Sequence, residues 1–329
     1  MSLLMLWIHL NRTVGDGVWW LALLNYGAPY LFLPALPLGI ATAFIPLRRR
    51  RFNILFTLGV PALFFLLLYW PYVLPQRPAT AIEPTHPTLT VMTYNVLYSN
   101  EDIDSIASVI QTHQPDLIAL QEVQPTTMAA LQQRLQANYP HTFYAEPHPY
   151  GTTAILSRYP FSDTQILELE ADRTAALVTV TVQGQPITFV SAHLLAFGLR
   201  WVPWQEWPRV INERITARNH QAEILVHTLT RLDHPVILGC DCNSKVATEA
   251  YHILNSYLQN SVRQVGWWLG QRAEGTYADR NLQHTDYIFY RENGRAGETT
   301  LQPIRAYKMT NTGGSDHAPL VVEFATNQN

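Results

Sequence analysis

Ser315-Asp316-His317-Ala318-Pro319-Leu320, near the C-terminus, sets a carboxylate beside an imidazole just ahead of the strand-like run Leu320–Phe324. The pair supplies an oxygen donor for a hard cation and a base that titrates near neutral pH, and phosphoester hydrolysis needs both. Alone, the hexapeptide reads better as a Ser/Asp turn leading into a strand. Agreement elsewhere in the chain changes that reading.

Polar residues suited to metal and proton chemistry stand where other apolar strands end or begin. Asn95 closes Thr93-Tyr94-Asn95-Val96, and Glu122 closes Leu120-Gln121-Glu122-Val123. His193 ends Val190-Ser191-Ala192-His193, and Asp241 and Asn243 end Leu238-Gly239-Cys240-Asp241-Cys242-Asn243. Asp286 opens Asp286-Tyr287-Ile288-Phe289. Strand ends on one edge of a sheet converge on a shared crevice, so this set can form a single site.

The intervening pattern mixes short strands with amphipathic helices. Leu89–Val96 alternates like a strand, Ile103, Ile106, Val109 and Ile110 mark a helix face, and Leu117–Leu120 is a short apolar strand. Thr153–Leu156, Ala175–Val182 and Ile187–Ser191 continue the strands, the last two meeting at Gln183-Gly184-Gln185 as a hairpin. A long helix over Val210–Arg231 then precedes the strand Val236–Leu238. Strands, helices and a hairpin together predict an α/β or α+β sandwich whose sheets are not purely parallel.

The ordered set resembles the endonuclease/exonuclease/phosphatase superfamily over roughly residues 88–325. It comprises the Asn95 strand, Gln121-Glu122, Ile155-Leu156-Ser157-Arg158-Tyr159-Pro160, Ser191-Ala192-His193, Asp241-x-Asn243, and Asp286-Tyr287-Ile288-Phe289 with Ser315-Asp316-His317. The resemblance implies a four-layer αββα sandwich and a magnesium-dependent site, with Mn²⁺ as the other ion of suitable chemistry. It makes Glu122 the principal metal ligand, with Asn95 and Asp316 completing the ion's surroundings. It gives His317 the proton of the attacking water and makes Asp286 the group that orients its ring. His193 would donate to the phosphoryl oxygens, and Asp241 and Asn243 would position nucleophile and phosphate. The family's usual Gly-Asp-Phe-Asn is altered here, with Cys240 and Cys242 in the Gly and Phe positions.

The first 75 residues differ in kind. Apart from Arg12, Asp16 and Arg48–Arg51 they carry no Lys, Arg, Asp or Glu. Phe52–Leu74 is long and apolar enough to cross a bilayer, Ala28–Leu47 is a second uncharged run, and Leu3–Asn25 is a candidate third span despite Arg12 and Asp16. The expectation is a transmembrane region of two or three helices over 1–75, a Pro-rich linker over 76–87, and a catalytic domain over 88–329. Arg48–Arg51 belongs on the cytoplasmic side, which sends the catalytic domain outward from a multi-pass membrane segment.

Removing six arginines and Asp16 up to residue 77 from the 22 basic and 25 acidic residues leaves a net charge of −8 for the remainder. That argues against strong nonspecific binding of nucleic acid. The substrate expected is therefore a lipid-headgroup or small-molecule phosphoester, with an extracytoplasmic nuclease as the enzymatic alternative and an inactive membrane-tethered binding module as the alternative of another class. No protein partner is indicated.

Three details remain. Cys240 and Cys242, separated by one residue, are expected to stay free because closing so small a ring is strained. Arg173 and Arg218 are expected at the surface. Trp201, Trp204 and Trp207 lie in an apolar insertion after His193, which can enter a bilayer interface, stack on a base, or bury against the long helix.

Overall fold

The computed structural model describes residues 2–32, 58–59, 61–63, 65–67, 88–145, 152–265, 284–292 and 299–328. Within them the apolar runs pair into two six-stranded sheets. The first has the order β11 (Thr299–Lys308), β12 (Leu320–Gln328), β1 (Thr88–Asn95), β2 (Leu117–Gln121), β4 (Thr153–Ser157) and β3 (His141–Tyr144). The second runs β5 (Phe161–Glu168), β6 (Thr174–Val182), β7 (Gln185–His193), β8 (Val236–Asp241), β10 (Asp286–Arg291) and β9 (Gln259–Asn260). Each sheet holds a parallel pair at its centre, β1 with β2 and β7 with β8, flanked by antiparallel neighbours.

Alternation along the strands decides what each face meets. Val91, Ile155, Phe189, Ile237 and Phe324 point between the sheets and form one apolar cluster. Their neighbours Met92, Ile118 and Leu120 point outward and meet Ile106 and Ile110 of α3 (Ile103–His113) and Leu131 of α4 (Pro125–Leu135). On the second sheet Val190, Leu238 and Phe289 meet Ala222 and Leu225 of α5 (Trp207–Leu229) and Leu254 of α6 (Glu249–Tyr257). A short α7 (Ser261–Val265) follows β9. Helix, sheet, sheet and helix therefore stack in that order. Strands covered on both faces read as unbroken apolar runs, as β2, β4 and β8 do.

Local chemistry fixes the element ends. Asp102 caps α3 by accepting the Ser105 amide at 2.9 Å, a bond that satisfies one of the helix's orphan donors. Val182 and Gln185 close the β6–β7 hairpin across Gln183 and Gly184, both at positive φ (53° and 81°), as a two-residue turn of this hand requires. Gly239 answers to the opposite sheet. A Cβ there would stand 2.7 Å from the Ala119 Cβ and 3.1 Å from the Thr93 Cβ, so only glycine lets β8 approach β1 and β2 this closely.

The N-terminal stretch departs from expectation. Leu3–Asn25 is not one span but two helices, α1 (Ser2–Thr13) and α2 (Trp19–Tyr26), with the chain breaking at the polar turn around Asp16. Asp16 is buried, accepts the Glu249 amide at 2.8 Å and takes a hydrogen bond from Asn25 at 2.7 Å. Its charge thus sits at the N-terminus of α6, where a carboxylate is stabilised. No described helix is long and apolar enough to cross a membrane. The linker 76–87 and most of the runs Ala28–Leu47 and Phe52–Leu74 lie outside the described residues.

Candidate active site

Strand register brings the polar strand ends to one edge. His193 pairs with Asp241 across the parallel β7–β8 ladder, and Asp241 pairs with Asp286 across the antiparallel β8–β10 ladder. On the facing sheet Asn95 pairs with Gln121, which places Glu122 next to it. The antiparallel register of β12 with β1 sets the loop before Leu320 at the same end, where the Ser315 hydroxyl donates to the Asn95 carbonyl at 2.7 Å. Ser315 also accepts the His317 amide at 3.0 Å, which fixes the imidazole's backbone.

Two overlapping groups of donors result, and Asp241 belongs to both. Glu122, His193 and Asp241 form one; Asp241, Asp286 and His317 form the other; the donor atoms within each lie within 4.8 Å of one another. His193 Nε2 is 3.7 Å from Glu122 Oε1 and 3.6 Å from Asp241 Oδ2. His317 Nε2 is 3.7 Å from Asp241 Oδ2. Its Nδ1 lies 3.0 Å from both oxygens of Asp286, so an Nδ1 proton is donated to that carboxylate and Nε2 is left facing Asp241.

The backbone is bent to hold this set. Glu122 adopts φ 57°, a left-handed conformation that costs a non-glycine residue on the order of 1–3 kcal/mol and needs compensation. Compensation comes from its carboxylate, which accepts the Tyr98 amide at 2.9 Å and the Asn95 side-chain amide at 3.0 Å. Asn243, at φ 46°, folds its own amide back onto Asp241 at 3.2 Å and donates its side chain to the Leu194 carbonyl at 2.9 Å. The turn after β8 is thereby tied to the turn after β7.

Charges follow from burial and neighbours. Burial alone disfavours the His317 cation, but Asp286 and Asp241 outweigh it and push its pKa up to about 10. Burial likewise opposes ionisation of Asp286, yet His317 and, behind it, Lys308 pull that carboxyl down to about 2. His193 is fully buried and is pushed toward its neutral form by desolvation, against the pull of Asp241 and Glu122. Its Nδ1 has no hydrogen-bond partner among the described residues. Desolvation and the neighbouring Asp286 raise Asp241 above the usual carboxylate range, against the pull of His317 and His193. Burial would raise Glu122 too, but His193 and the Asn95 and Tyr98 hydrogen bonds bring it below its ordinary value. Carboxylate oxygens crowded this closely suit a hard divalent ion, so the donor set fits the expected cofactor.

Most expected residues meet here, with two departures. Asn95 turns its side-chain N–H toward Glu122 and Asp241, at 3.0 and 2.9 Å, while its oxygen accepts the Leu97 amide at 2.9 Å. In this orientation it steers the two carboxylates instead of offering oxygen to a cation. Asp316 is exposed and belongs to neither donor group; its charge acts on His317 from outside.

Further expectations are corrected. Arg173 and Arg218 are buried, not solvated. Arg218 stacks on Phe197 with its guanidinium carbon 4.6 Å from the ring centroid and donates to the Asn243 carbonyl at 2.8 Å, supporting the turn after β8 from behind. Arg173 lies within electrostatic reach of Glu122 and Asp241. Cys240 and Cys242 are joined in a disulfide. The strand ends at Asp241 and the chain then turns, bringing the two Cα atoms to 5.1 Å, within bridging range. Trp201 and Trp204 are 84% and 74% exposed, so burial against the long helix holds for neither. Trp207 does tuck in, donating its indole N–H to the Val202 carbonyl at 3.0 Å.

Lys308 was not legible as a site residue. It ends β11 opposite Leu320, with its ammonium 4.0 Å from Asp286. Only the register of two antiparallel strands puts it there.

A two-sheet sandwich with carboxylates and two imidazoles converging on one edge defines a hydrolase that works on phosphoesters with a divalent ion. Residues 92–317 match the Endonuclease/Exonuclease/phosphatase family. Among solved structures, a D. rerio TDP2 humanised by 14 mutations is similar, with a TM-score of 0.57 at 20% identity over 73% of this chain and 99% of that one. D. rerio TDP2 complexed with a single-strand DNA product has a TM-score of 0.57 at 19% identity, with the same coverage. An endonuclease/exonuclease/phosphatase from Bacteroides vulgatus has a TM-score of 0.55 at 14% identity over 73% and 100%. At such identities these likenesses speak for the fold. No curated protein matches the sequence significantly. The chain belongs to the endonuclease/exonuclease/phosphatase family and is a metal-dependent hydrolase of phosphoester bonds.

Proposed function

We propose a membrane-anchored phosphodiesterase or phosphatase that uses Mg²⁺, or Mn²⁺ in its place, and acts outside the cytoplasm on a lipid-headgroup or small-molecule phosphoester. The observation that carries the chemistry is the 3.0 Å contact of His317 Nδ1 with Asp286, which leaves Nε2 turned toward Asp241 and the Glu122 group. Once Asp241 engages the cation, the ring loses one of the two carboxylates that hold it protonated. Kept in that tautomer, it then takes a proton at Nε2 from an attacking water, while Asp286 stabilises the imidazolium that forms. His193, kept neutral by burial, donates a hydrogen bond to a phosphoryl oxygen. Asn243 and Asp241 set the position of phosphate and nucleophile. Glu122 and Asp241 hold the cation, with Asn95 steering both carboxylates. The ion, once bound, supplies positive charge against the oxygens that become more negative as the bond breaks.

The membrane part of the proposal is supported by sequence. Two uncharged apolar runs separated by Arg48–Arg51 suit anchoring in residues 1–75 with the basic cluster inside, leaving 88–329 outside. A net charge of −8 after residue 77 favours substrates other than nucleic acid.

A second reading, hydrolysis of nucleic acid, draws on the likeness to D. rerio TDP2, whose structure contains a single-strand DNA product. The two separate on a substrate panel given to the purified full chain with Mg²⁺. Release of phosphocholine from sphingomyelin vesicles supports the lipid reading, and activity confined to nicking of plasmid DNA overturns it. Loss of either activity in EDTA and in His317→Ala ties it to this site.

A further inference from the structure

The insertion that follows His193 presents an unusual surface among the described residues. It folds into two short 3₁₀ turns, Leu199–Trp201 and Trp204–Glu206, and presents Trp201 and Trp204 to solvent at 84% and 74% exposure. Two adjoining indoles left this bare cost free energy in water, on the order of 25 cal/mol per Å² of apolar surface, and need a reason.

The rest of the insertion is rigidly based. Phe197 and Leu199 pack with Trp19 and Leu23 of α2 and with Ile211 and Ile215 of α5. Tyr26 of α2 meets Phe197 edge-on, with ring centroids 4.9 Å apart, and Phe197 in turn rests on Arg218, which holds the Asn243 turn of the active site. The base of the insertion, though not the two indoles, is thus packed against the arginine that supports the catalytic edge. The indoles are not carried on a free loop.

The face of α2 turned toward α1 is apolar as well. Leu6, Trp7, Trp20, Leu24 and Leu31 line a groove of about 400 Å³ between α1 and α2. Just beyond it, after Phe32, the sequence is uncharged from Leu33 to Leu47, and a further uncharged run spans Phe52–Leu74. The stretch of membrane character therefore begins, in sequence, two residues after Leu31, which lines the groove. Arg200, stacked on Trp201 at 4.9 Å, supplies a cation where lipid phosphates would lie. An indole at the headgroup level with an arginine beside it is the arrangement an interface favours.

We propose that Trp201, Trp204 and the α1–α2 groove form one bilayer-docking surface that presents the active site to phosphoesters in lipid headgroups. The occupant is a phospholipid bilayer, chosen over a second protein because the flanking sequence is itself of membrane character. This rests on the lipid-phosphoester reading above and adds where the lipid is met.

The test uses the full chain reconstituted into phosphatidylcholine vesicles, compared with Trp201→Ser/Trp204→Ser. Tryptophan emission is quenched from the bilayer by brominated lipid and from water by acrylamide, and the difference between the two proteins isolates the pair. The pair is expected to be quenched by brominated lipid. Turnover of a phospholipid or sphingomyelin in the vesicles should fall about tenfold in the variant, with turnover of soluble bis(4-nitrophenyl) phosphate changed by less than about twofold. Quenching of the pair by acrylamide alone overturns the docking surface, as does equal loss or no loss on both substrates. If the wild type turns over no lipid phosphoester while the pair is quenched by brominated lipid, the surface stands and the lipid-substrate reading fails.

Discussion

Asp286 opens β10 and His317 lies in the loop before β12, and His317 Nδ1 sits 3.0 Å from each oxygen of the Asp286 carboxylate. Thirty-one residues separate them in sequence. Their contact is made by register, since β10 pairs with β8 in one sheet and the loop before β12 is pinned to Asn95 of the other. The site is thus assembled across the gap between two sheets, and its chemistry depends on that gap staying closed.

The Asp286–His317 pair orients the base, so Asp286→Asn should lower kcat by about 10²–10⁴-fold with little change in KM. Steady-state rates on bis(4-nitrophenyl) phosphate with saturating Mg²⁺ measure both. A rise in KM with unchanged kcat would assign Asp286 to substrate binding instead.

The same pair makes the stability of the metal-free protein depend on pH. His317 is raised from 6.5 to about 10, so its contribution is complete below 6.5 and is lost as pH rises through about 10. Asp286 is lowered from 3.8 to about 2, so its contribution is complete above 3.8 and is lost as pH falls through about 2. In EDTA, the stability difference between wild type and His317→Asn should therefore be widest between 3.8 and 6.5 and shrink on either side. Urea unfolding across that range measures it. A difference that grows from pH 6.5 toward pH 10 would contradict the ion pair.

Gly239→Ala should destabilise the fold by about 1–3 kcal/mol, because the added methyl meets the Ala119 Cβ and Thr93 side chain of the opposite sheet. Thermal unfolding would show it. Activity should also fall, as Asp241 lies two residues along the same strand. An unchanged melting temperature would mean the sheets can separate at no cost there.

Much of this arrangement was legible in the residues. The apolar runs around Asn95, Glu122, His193 and Asp241 became β1, β2, β7 and β8 because strands buried on both faces carry an unmistakable signal. Edge strands carry none. Phe161–Glu168 is mostly exposed and polar, so β5 has neither alternation nor an apolar run to give it away. Lys308 and the burial of Arg173 and Arg218 follow from register and from packing behind the turns, which no local pattern encodes. The apolar character of Leu3–Asn25 was visible, but Asp16 and Asn25 close a buried polar knot with Glu249 that breaks the stretch into α1 and α2. That knot depends on a partner more than two hundred residues away.

Arg218→Leu should leave the Asn243 carbonyl without its buried donor and loosen the turn after β8. The expected result is a fall of about tenfold or more in kcat at fixed Mg²⁺, partly restored by Arg218→Lys. Equal losses in the two variants would point to shape, and not to the donated hydrogen bond.

The central claim is that Glu122, Asp241 and their neighbours surround a divalent ion required for hydrolysis. Titrating the metal-stripped full chain with Mn²⁺ under electron paramagnetic resonance, in wild type and Glu122→Gln, tests it most directly. Saturable binding that restores phosphodiesterase activity in step is expected, with an affinity at least about tenfold weaker in the variant. Undiminished binding in Glu122→Gln, or full activity in the stripped wild type, would contradict it.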